Sequence, residues 1–427
     1  MSTEIPKGGK AAMTLADADF AADRREHDVR SALGDYWDRV RSGELGALPA
    51  ILGLGSLIVL FTVLRPDTFL SKGNIANLFT QALPITILAM GLVFVLLLGE
   101  IDLSAGVASG LCAAAMAKLM ADSGQPWYVA VITAVAIGIV IGTAIGWLVA
   151  VVRIPSFVVT LALFLGLQGV TLRMIGEGGT VSVRDDVIVA LANKNIPVGL
   201  GWALAVVCAV GYAASQLLRW RRQRARDLHS KPVELVIAQS AVVAAVLLFG
   251  TYLLSLDRAP SPFITLAGIP WGVPLVGVLL IVCTFVLGRT AYGRHIYAVG
   301  GNAEAARRAG INVTRIRISV FMIASGFAAI SGIVAASRLN SVTPNSGSGN
   351  ELLYAVGAAV IGGTSLFGGR GKARDAVLGG LVIAIIENGL GLLGTKAYLS
   401  FLITGVVLLF AASIDALARR RRSNTGR

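Results

Sequence analysis

From Asn77 to Gly99 the chain carries no charged side chain, and most of the stretch is Leu, Val, Ile, Ala, Phe and Met. A helix of about 20 such residues crosses the roughly 30 Å hydrocarbon core of a bilayer. Comparable runs recur from end to end, at 47–65, 77–99, 103–121, 128–151, 156–175, 202–218, 234–255, 272–288, 316–337, 352–367, 375–393 and 397–417. In lipid each backbone N–H and C=O must be paired inside the protein, which favours helices. The expected fold is therefore all-α, a polytopic bundle of about twelve transmembrane spans, the shorter ones tilted or re-entrant.

Composition supports this and excludes a soluble domain. Of 427 residues 55% are hydrophobic and only 14% charged, and the mean hydropathy is +0.76. The net charge of +13 does not point to nucleic acid. Its cations sit in short segments between apolar runs, and no basic, aromatic-interleaved domain is present. Cys112, Cys208 and Cys283 all fall inside apolar runs, where they act as small hydrophobes. His27, His229 and His295 are far apart in polar segments. Neither set gives a disulfide framework or metal-ligand spacing, so no metal and no cofactor are expected.

Placement of Lys and Arg sets orientation. One set of connections holds Arg24, Arg25, Arg30 and Arg39, then Arg153, the run Arg219–Lys231, the loop 289–315, Arg370, Lys372 and Arg374, and Arg419–Arg422. The alternate set holds only Lys72, Arg184, Lys194, Arg258, Arg338 and Lys396. The first set reads as cytoplasmic, and the alternation puts both termini there. Residues 1–46 form a cytoplasmic N-terminal segment, 47–417 the transmembrane domain, and 418–427 a basic cytoplasmic tail. The polar start lacks the pattern of a cleaved signal, so the first apolar run, from near Ala47, is expected to be an uncleaved anchor. Ahead of it Val29, Ala32, Leu33, Tyr36, Trp37 and Val40 share one helical face, a helix expected to lie in the cytoplasmic membrane interface or to dock against the bundle.

Two glycine patterns imitate nucleotide sites and fail. "GLGLLG", Gly389 to Gly394, lies in an apolar span and follows no strand. "GGRGKA", Gly368 to Ala373, has Leu366 where a phosphate loop needs its first Gly and Ala373 where it needs Ser or Thr. ATP energy would have to come from a partner. Gly138, Gly142 and Gly146, at intervals of four, form a smooth ridge for close helix packing.

The polar loop 289–315 is the exception in an oily chain. In "NAEAARRAG" Asn302 is suited to cap a helix, Glu304 falls in the first turn, and Arg307 and Arg308 fall in the last. Gly310 is placed to end it in a left-handed conformation. Ala305 and Ala306 leave a small surface suited to a groove. A long structured connection of this kind is usually functional.

"EAARRAG", Glu304 to Gly310, resembles the E-A-A-x-x-x-G element of ABC importer permeases. The longer "GRHIYAVGGNAEAARRAGI" is similar to the version in sugar permeases of the ribose and xylose class. "GEIDLSAG" (Gly99 to Gly106), "AVGAAVIGGTSLFGGRG" (Ala355 to Gly371) and "ENGLGLLG" (Glu387 to Gly394) agree with it. The resemblance covers most of 47–417. Two extra runs, 202–218 and 234–255, joined by "RWRRQRARDLHSK", depart from the ribose-type plan and resemble the xylose-type one.

The resemblance implies a membrane permease subunit in a bacterial plasma membrane, not itself an enzyme. It implies inward movement of a monosaccharide, xylose or similar, by two copies as a homodimer. An ABC ATPase subunit would dock on the coupling helix, engaging Asn302, Glu304, Ala305, Ala306, Arg307, Arg308 and Gly310. A soluble sugar-binding protein would deliver ligand outside. Gln81, Gln168, Asn340, Glu387 and Asn388 lie in or at the ends of apolar spans. Polar groups there should face a wet path or one another, as a sugar route or as glue between helices. Asp102 is expected to cap the helix that follows it. Rival readings are an ion- or proton-coupled secondary transporter relying on Glu387, a membrane enzyme, which lacks any catalytic cluster, and a permease for branched-chain amino acids.

Overall fold

The computed structural model describes residues 34, 46–226, 232–259, 263, 265–396, 398–399, 401–406, 409 and 413. The expected interfacial helix, the end of the basic run at 227–231, much of the run 397–417 and the basic tail lie outside them. Among the described residues two compact units are present, one built from 46–201 with 251–396 and one from 202–250.

Nine helices among the described residues are long and apolar enough to cross a membrane. In chain order the helices are α1 (Leu48–Leu64), α2 (Lys72–Leu97), α3 (Ala105–Ala121), α4 (Trp127–Trp147), α5 (Ser156–Ile175), α6 (Asp186–Asn193), α7 (Val198–Arg224), α8 (Val233–Ser255), α9 (Gly272–Arg289), α10 (Ala291–Gly301), α11 (Ala303–Arg308), α12 (Val313–Leu339), α13 (Glu351–Gly362) and α14 (Ala373–Leu392). A π turn, Leu148–Val152, continues α4. The shorter apolar helices are α1 and α13. At 1.5 Å per residue α2 is about 39 Å long and α13 only about 18 Å. The run expected over 352–367 thus ends early, at Gly363, whose φ of +120° breaks the helix.

α2 and α12 form the centre. α2 is apolar all round and buried almost continuously from Ala82 to Leu97, as a helix enclosed by other helices must be. α12 packs against α2, α3 and α4. The glycine ridge of α4 meets α12 of the same chain. A Cβ on Gly138 would fall 2.6 Å from the Ser325 carbonyl oxygen, and one on Gly146 2.6 Å from the Ile318 Cα. One on Gly142 would strike the Phe321 carbonyl. Small residues let the backbones touch, which in a membrane replaces the missing hydrophobic drive between helices. Within α2, Pro84 interrupts the ladder, and Ser331 of α12 donates to the Pro84 carbonyl at 2.7 Å.

Polar connections gather at two ends. One end is built from α6 and two short antiparallel pairs, β1 (Val181–Ser182) with β4 (Ser341–Val342) and β2 (Asn195–Ile196) with β3 (Ile269–Pro270). The Asp185 carboxylate caps α6, accepting from the Val187 and Ile188 amides. At the other end sit α10, α11 and the connection 363–372. The unit of 202–250 contributes most of α7 and α8. α7 ends on Arg221, Arg222 and Arg224, and the Arg224 guanidinium lies 5.3 Å from the centre of the Trp220 ring.

Candidate functional site

α11 takes the form its sequence encodes. The Asn302 side chain accepts from the Ala305 amide at 2.9 Å, satisfying one of the orphan donors of the first turn. At the other end Gly310 adopts φ +83°. The Gly310 amide bonds the Arg307 carbonyl and the Ile311 amide bonds the Ala306 carbonyl, both at 3.0 Å. This paired closure is a Schellman motif. Glu304 reaches Arg307 at 3.5 Å and Arg308 at 3.4 Å. These side chains keep 60% or more of their surface, so the pairs hold the helix by only about 0.3–0.5 kcal/mol each.

One expected docking residue faces the wrong way. Ala306 is 4% exposed and belongs to the main apolar core, with Ile311 packed against the same cluster. It anchors α11 to its own chain and offers no surface to a partner. Asn302, Glu304, Ala305, Arg307, Arg308 and Gly310 are exposed.

α11 is preceded by α10, which the sequence reading leaves inside a loop. The signal was present. Thr290 caps α10, its Oγ1 accepting from the Gly293 amide at 3.1 Å, and Tyr292, Ile296 and Val299 recur at helical spacing. α10 ties α11 to the bundle. Tyr297 Oη donates to the Gly371 carbonyl at 2.7 Å, and Tyr292 Oη bonds Ser319 Oγ of α12 at 2.7 Å. Gly300 is backed directly onto the Leu97 carbonyl of α2, which also accepts from the Gly369 amide at 2.8 Å. No side chain fits there. Burial raises the pKa of both phenols, which keeps them neutral donors. Asp375 holds the adjoining connection, accepting from the Lys372 amide at 2.7 Å and Thr364 Oγ1 at 3.3 Å.

The interior holds a second polar region, in a segment whose polarity alone suggests an outside loop. After β4 the chain turns into the bundle, and the turns at 343–350 pack on α3. A Cβ on Gly106 would sit 2.6 Å from the Gly347 carbonyl oxygen, and one on Gly110 would strike the Ser346 carbonyl. Irregular backbone inside a membrane domain is tolerated where protein or a wet cavity covers it. Broken helices of this kind form substrate sites in transporters. α13 starts from this turn, which is why its 12 residues suffice.

Two of the five path candidates are held in hydrogen bonds between elements of the fold. Asn388 is committed to a reciprocal amide pair with Asn74 of α2, both bonds 2.8 Å. Asn340 ends α12 in the left-handed region and accepts from Asn193 Nδ2 at 3.1 Å. Both therefore join elements of the fold. Gln168 is half-buried on α5. Gln81 buries its Oε1 with no hydrogen-bond partner. Glu387 lies within electrostatic reach of Arg338 and Glu351, and Tyr354 senses both carboxylates. Asn350 Nδ2 reaches Tyr354 Oη at 3.5 Å. Arg338, Glu351 and Tyr354 each sit near a helix end, where sequence alone gives no sign that they face Glu387. Asp102 folds onto the residue before α3, its Oδ1 accepting from the Ser104 amide at 2.9 Å and Ser104 Oγ at 2.7 Å. Its Oδ2 is buried without a partner.

Comparison with known proteins follows the same outline. Residues 74–412 match the family described as branched-chain amino acid transport system / permease component. The chain is 34% identical over 385 residues to the xylose transport system permease protein XylH of Escherichia coli (strain K12), covering 90% of this chain and 94% of that one. It is 31% identical to the XylH of Haemophilus influenzae, over 90% of this chain and 99% of that one. With the ribose import permease protein RbsC of Escherichia coli (strain K12) it shares 30% identity, over 86% and 92%. No solved structure matches it.

Proposed function

The chain belongs to the permease-component family of branched-chain amino acid transport systems, and from that premise we propose that it is the membrane subunit of a binding-protein-dependent ABC importer for a monosaccharide, xylose or a close analogue. The observation that carries the reading is similarity to a xylose permease across nine-tenths of the chain. The family's description names amino acids while these relatives are named for sugars, so the sugar reading is the finer one.

The proposed topology is twelve spans in a bacterial inner membrane with both termini cytoplasmic. Residues 1–46 and 418–427 flank the transmembrane domain on that side. The end bearing α10 and α11 carries Arg153, Arg289, Arg294, Arg307, Arg308, Arg315, Arg317, Arg370, Lys372 and Arg374, and this excess of cations supports its cytoplasmic placement. Two copies form the pathway, a soluble sugar-binding protein loads it from outside, and an ATPase subunit seats on each α11. Glu304 and Ala305 present the docking surface, while Ala306 and Ile311 hold the helix down. Closure of the ATPases pulls α11. Through Tyr297, Gly300 and Tyr292 the pull reaches the end of α2, the 363–372 connection and α12, which rock as rigid bodies. The chain supplies no catalysis of its own. The turns at 343–350, with Gln81 and the Glu387–Arg338–Tyr354 region, are the proposed sugar path. A neutral sugar needs such hydrogen-bonding groups and no ion relay.

The test places Ala305→Trp and Glu304→Lys in the full transporter in vesicles. Both should insert normally, lose most sugar uptake and uncouple ATP hydrolysis from the loaded binding protein. Wild-type uptake by both would make α11 a solvated loop. Cysteine labelling at Asn302 from outside intact cells would overturn the topology.

A further inference from the structure

Beside α11 a cleft of about 410 Å³ opens between the π turn that ends α4, the start of α5 and the first turn of α12. Its charged lining is Arg153, Arg307 and Arg317 against one carboxylate, Glu100. Glu100 Oε1 engages Arg317 through Nη2 alone, at 3.2 Å. Arg317 Nε is buried with no hydrogen-bond partner. Among the described residues Arg153 makes no ion pair, and it stands at φ +67°, where the chain turns out of the π turn. Among the described residues Arg307 pairs only with the exposed Glu304. A buried guanidinium N–H without an acceptor is costly, and native structures seldom leave one unless something else supplies the acceptor.

Two helix N-termini end on the same walls, α5 at Pro155 and Ser156 and α12 at Val313 and Thr314. First-turn amides lack intrahelical acceptors and carry the positive end of the helix dipole, an arrangement that suits an anion. Guanidinium forks match the oxygens of a phosphate better than a neutral hydroxyl, because each charge-assisted pair is directional and strong. A cation is excluded by the same arginines. The volume exceeds that of a lone inorganic ion and admits a phosphate carried on a small body.

We infer that this cleft binds a phosphate group, borne by a soluble phosphate ester or by an anionic lipid headgroup, held between Arg153, Arg317 and Arg307 of α11. Glu100 is the counter-charge that the ligand displaces from Arg317. The bound group bridges α11 to the α4–α5 corner and to α12, so occupancy restrains the helix that the proposed ATPase engages. Only that consequence for transport rests on the coupling reading; the binding does not.

The test uses the full chain in lipid nanodiscs with pyrophosphate as probe, which has no sugar part to enter the proposed path. In phosphatidylcholine discs titration calorimetry should show saturable binding. Arg153→Asn and Arg317→Gln should each weaken it by about tenfold, and Glu100→Gln should tighten it by a similar factor. Asn is the replacement at 153 because it tolerates the left-handed conformation, so that variant should fold. In phosphatidylglycerol discs, binding that is suppressed in the wild type but not further weakened in Arg153→Asn identifies a lipid headgroup as the occupant. Binding that persists unchanged identifies a soluble ester. Absence of saturable binding in phosphatidylcholine, or affinities indifferent to all three substitutions, overturns the proposal. The discs expose both faces and hold no ATPase. A failure here therefore leaves the coupling reading standing, and failure of the coupling test leaves this result standing.

Discussion

Gly142→Ala adds one methyl group where α4 and α12 touch. The new Cβ would lie 2.7 Å from the Met322 Cα and against the Phe321 carbonyl. Carbon atoms reach optimal contact near 3.5–4.0 Å. The obstructing atoms are backbone, so no rotamer change relieves them, and the helices must part by roughly 1 Å. A gap of that size forfeits about a quarter to a half of the dispersion energy of neighbouring atom pairs. Overpacking of this kind costs about 1–3 kcal/mol. The ridge is continuous through Gly138 and Gly146, so the whole contact tilts and the upper part of that range applies. The assay is unfolding of the purified protein in mild detergent, followed by helical signal against added denaturing detergent. Gly277→Ala on α9 is the control, since nothing lies within 4 Å of its added Cβ. Gly142→Ala should unfold at a clearly lower midpoint, with Gly277→Ala like the wild type. Equal midpoints for the two variants would refute the claim that backbone contact along this ridge holds α12 in place.

Asn74→Ala and Asn388→Ala should each destabilise, and the double variant should lose less than their sum. A coupling of about 0.6–1.7 kcal/mol from unfolding midpoints fits a direct amide pair between helices; none would return Asn388 to the path. Gly310→Ala should strain the left-handed closure of α11 by about 1 kcal/mol, read as faster hydrogen exchange at the Gly310 and Ile311 amides with the spans unchanged. Asp257 is held below the usual carboxylate range chiefly by the Ala259 amide and then by the Leu266 amide. A depressed carboxylate stabilises the ionised form, so this contribution is present above the ordinary value and lost as pH falls through the folded one. Exchange at the Ala259 and Leu266 amides should quicken only below about pH 4, and already at neutral pH in Asp257→Ala.

Much of this protein is legible along the chain because its determinants are local. A helix cap needs only its own side chain and the next three amides, so Asn302 and Gly310 delimit α11 from sequence alone. Apolar length likewise marks α2, α4, α5, α7, α8, α9, α12 and α14, since lipid demands it of each helix separately. The glycine ridge announces a close partner for α4 but not which helix fills it. Only the tertiary structure assigns it to α12. Nor does sequence say that Ala306 turns inward while Ala305 turns out, because two adjacent alanines on a short helix are distinguished only by what they pack against. The turns at 343–350 look like an outside loop by polarity and become interior because Gly106 and Gly110 of α3, remote in sequence, make room for them. Asn388 is a polar residue in an apolar span until Asn74, 314 positions away, closes its hydrogen bonds. Local chemistry writes helices and their ends, whereas the fate of a buried polar group depends on partners brought to it by packing of distant segments.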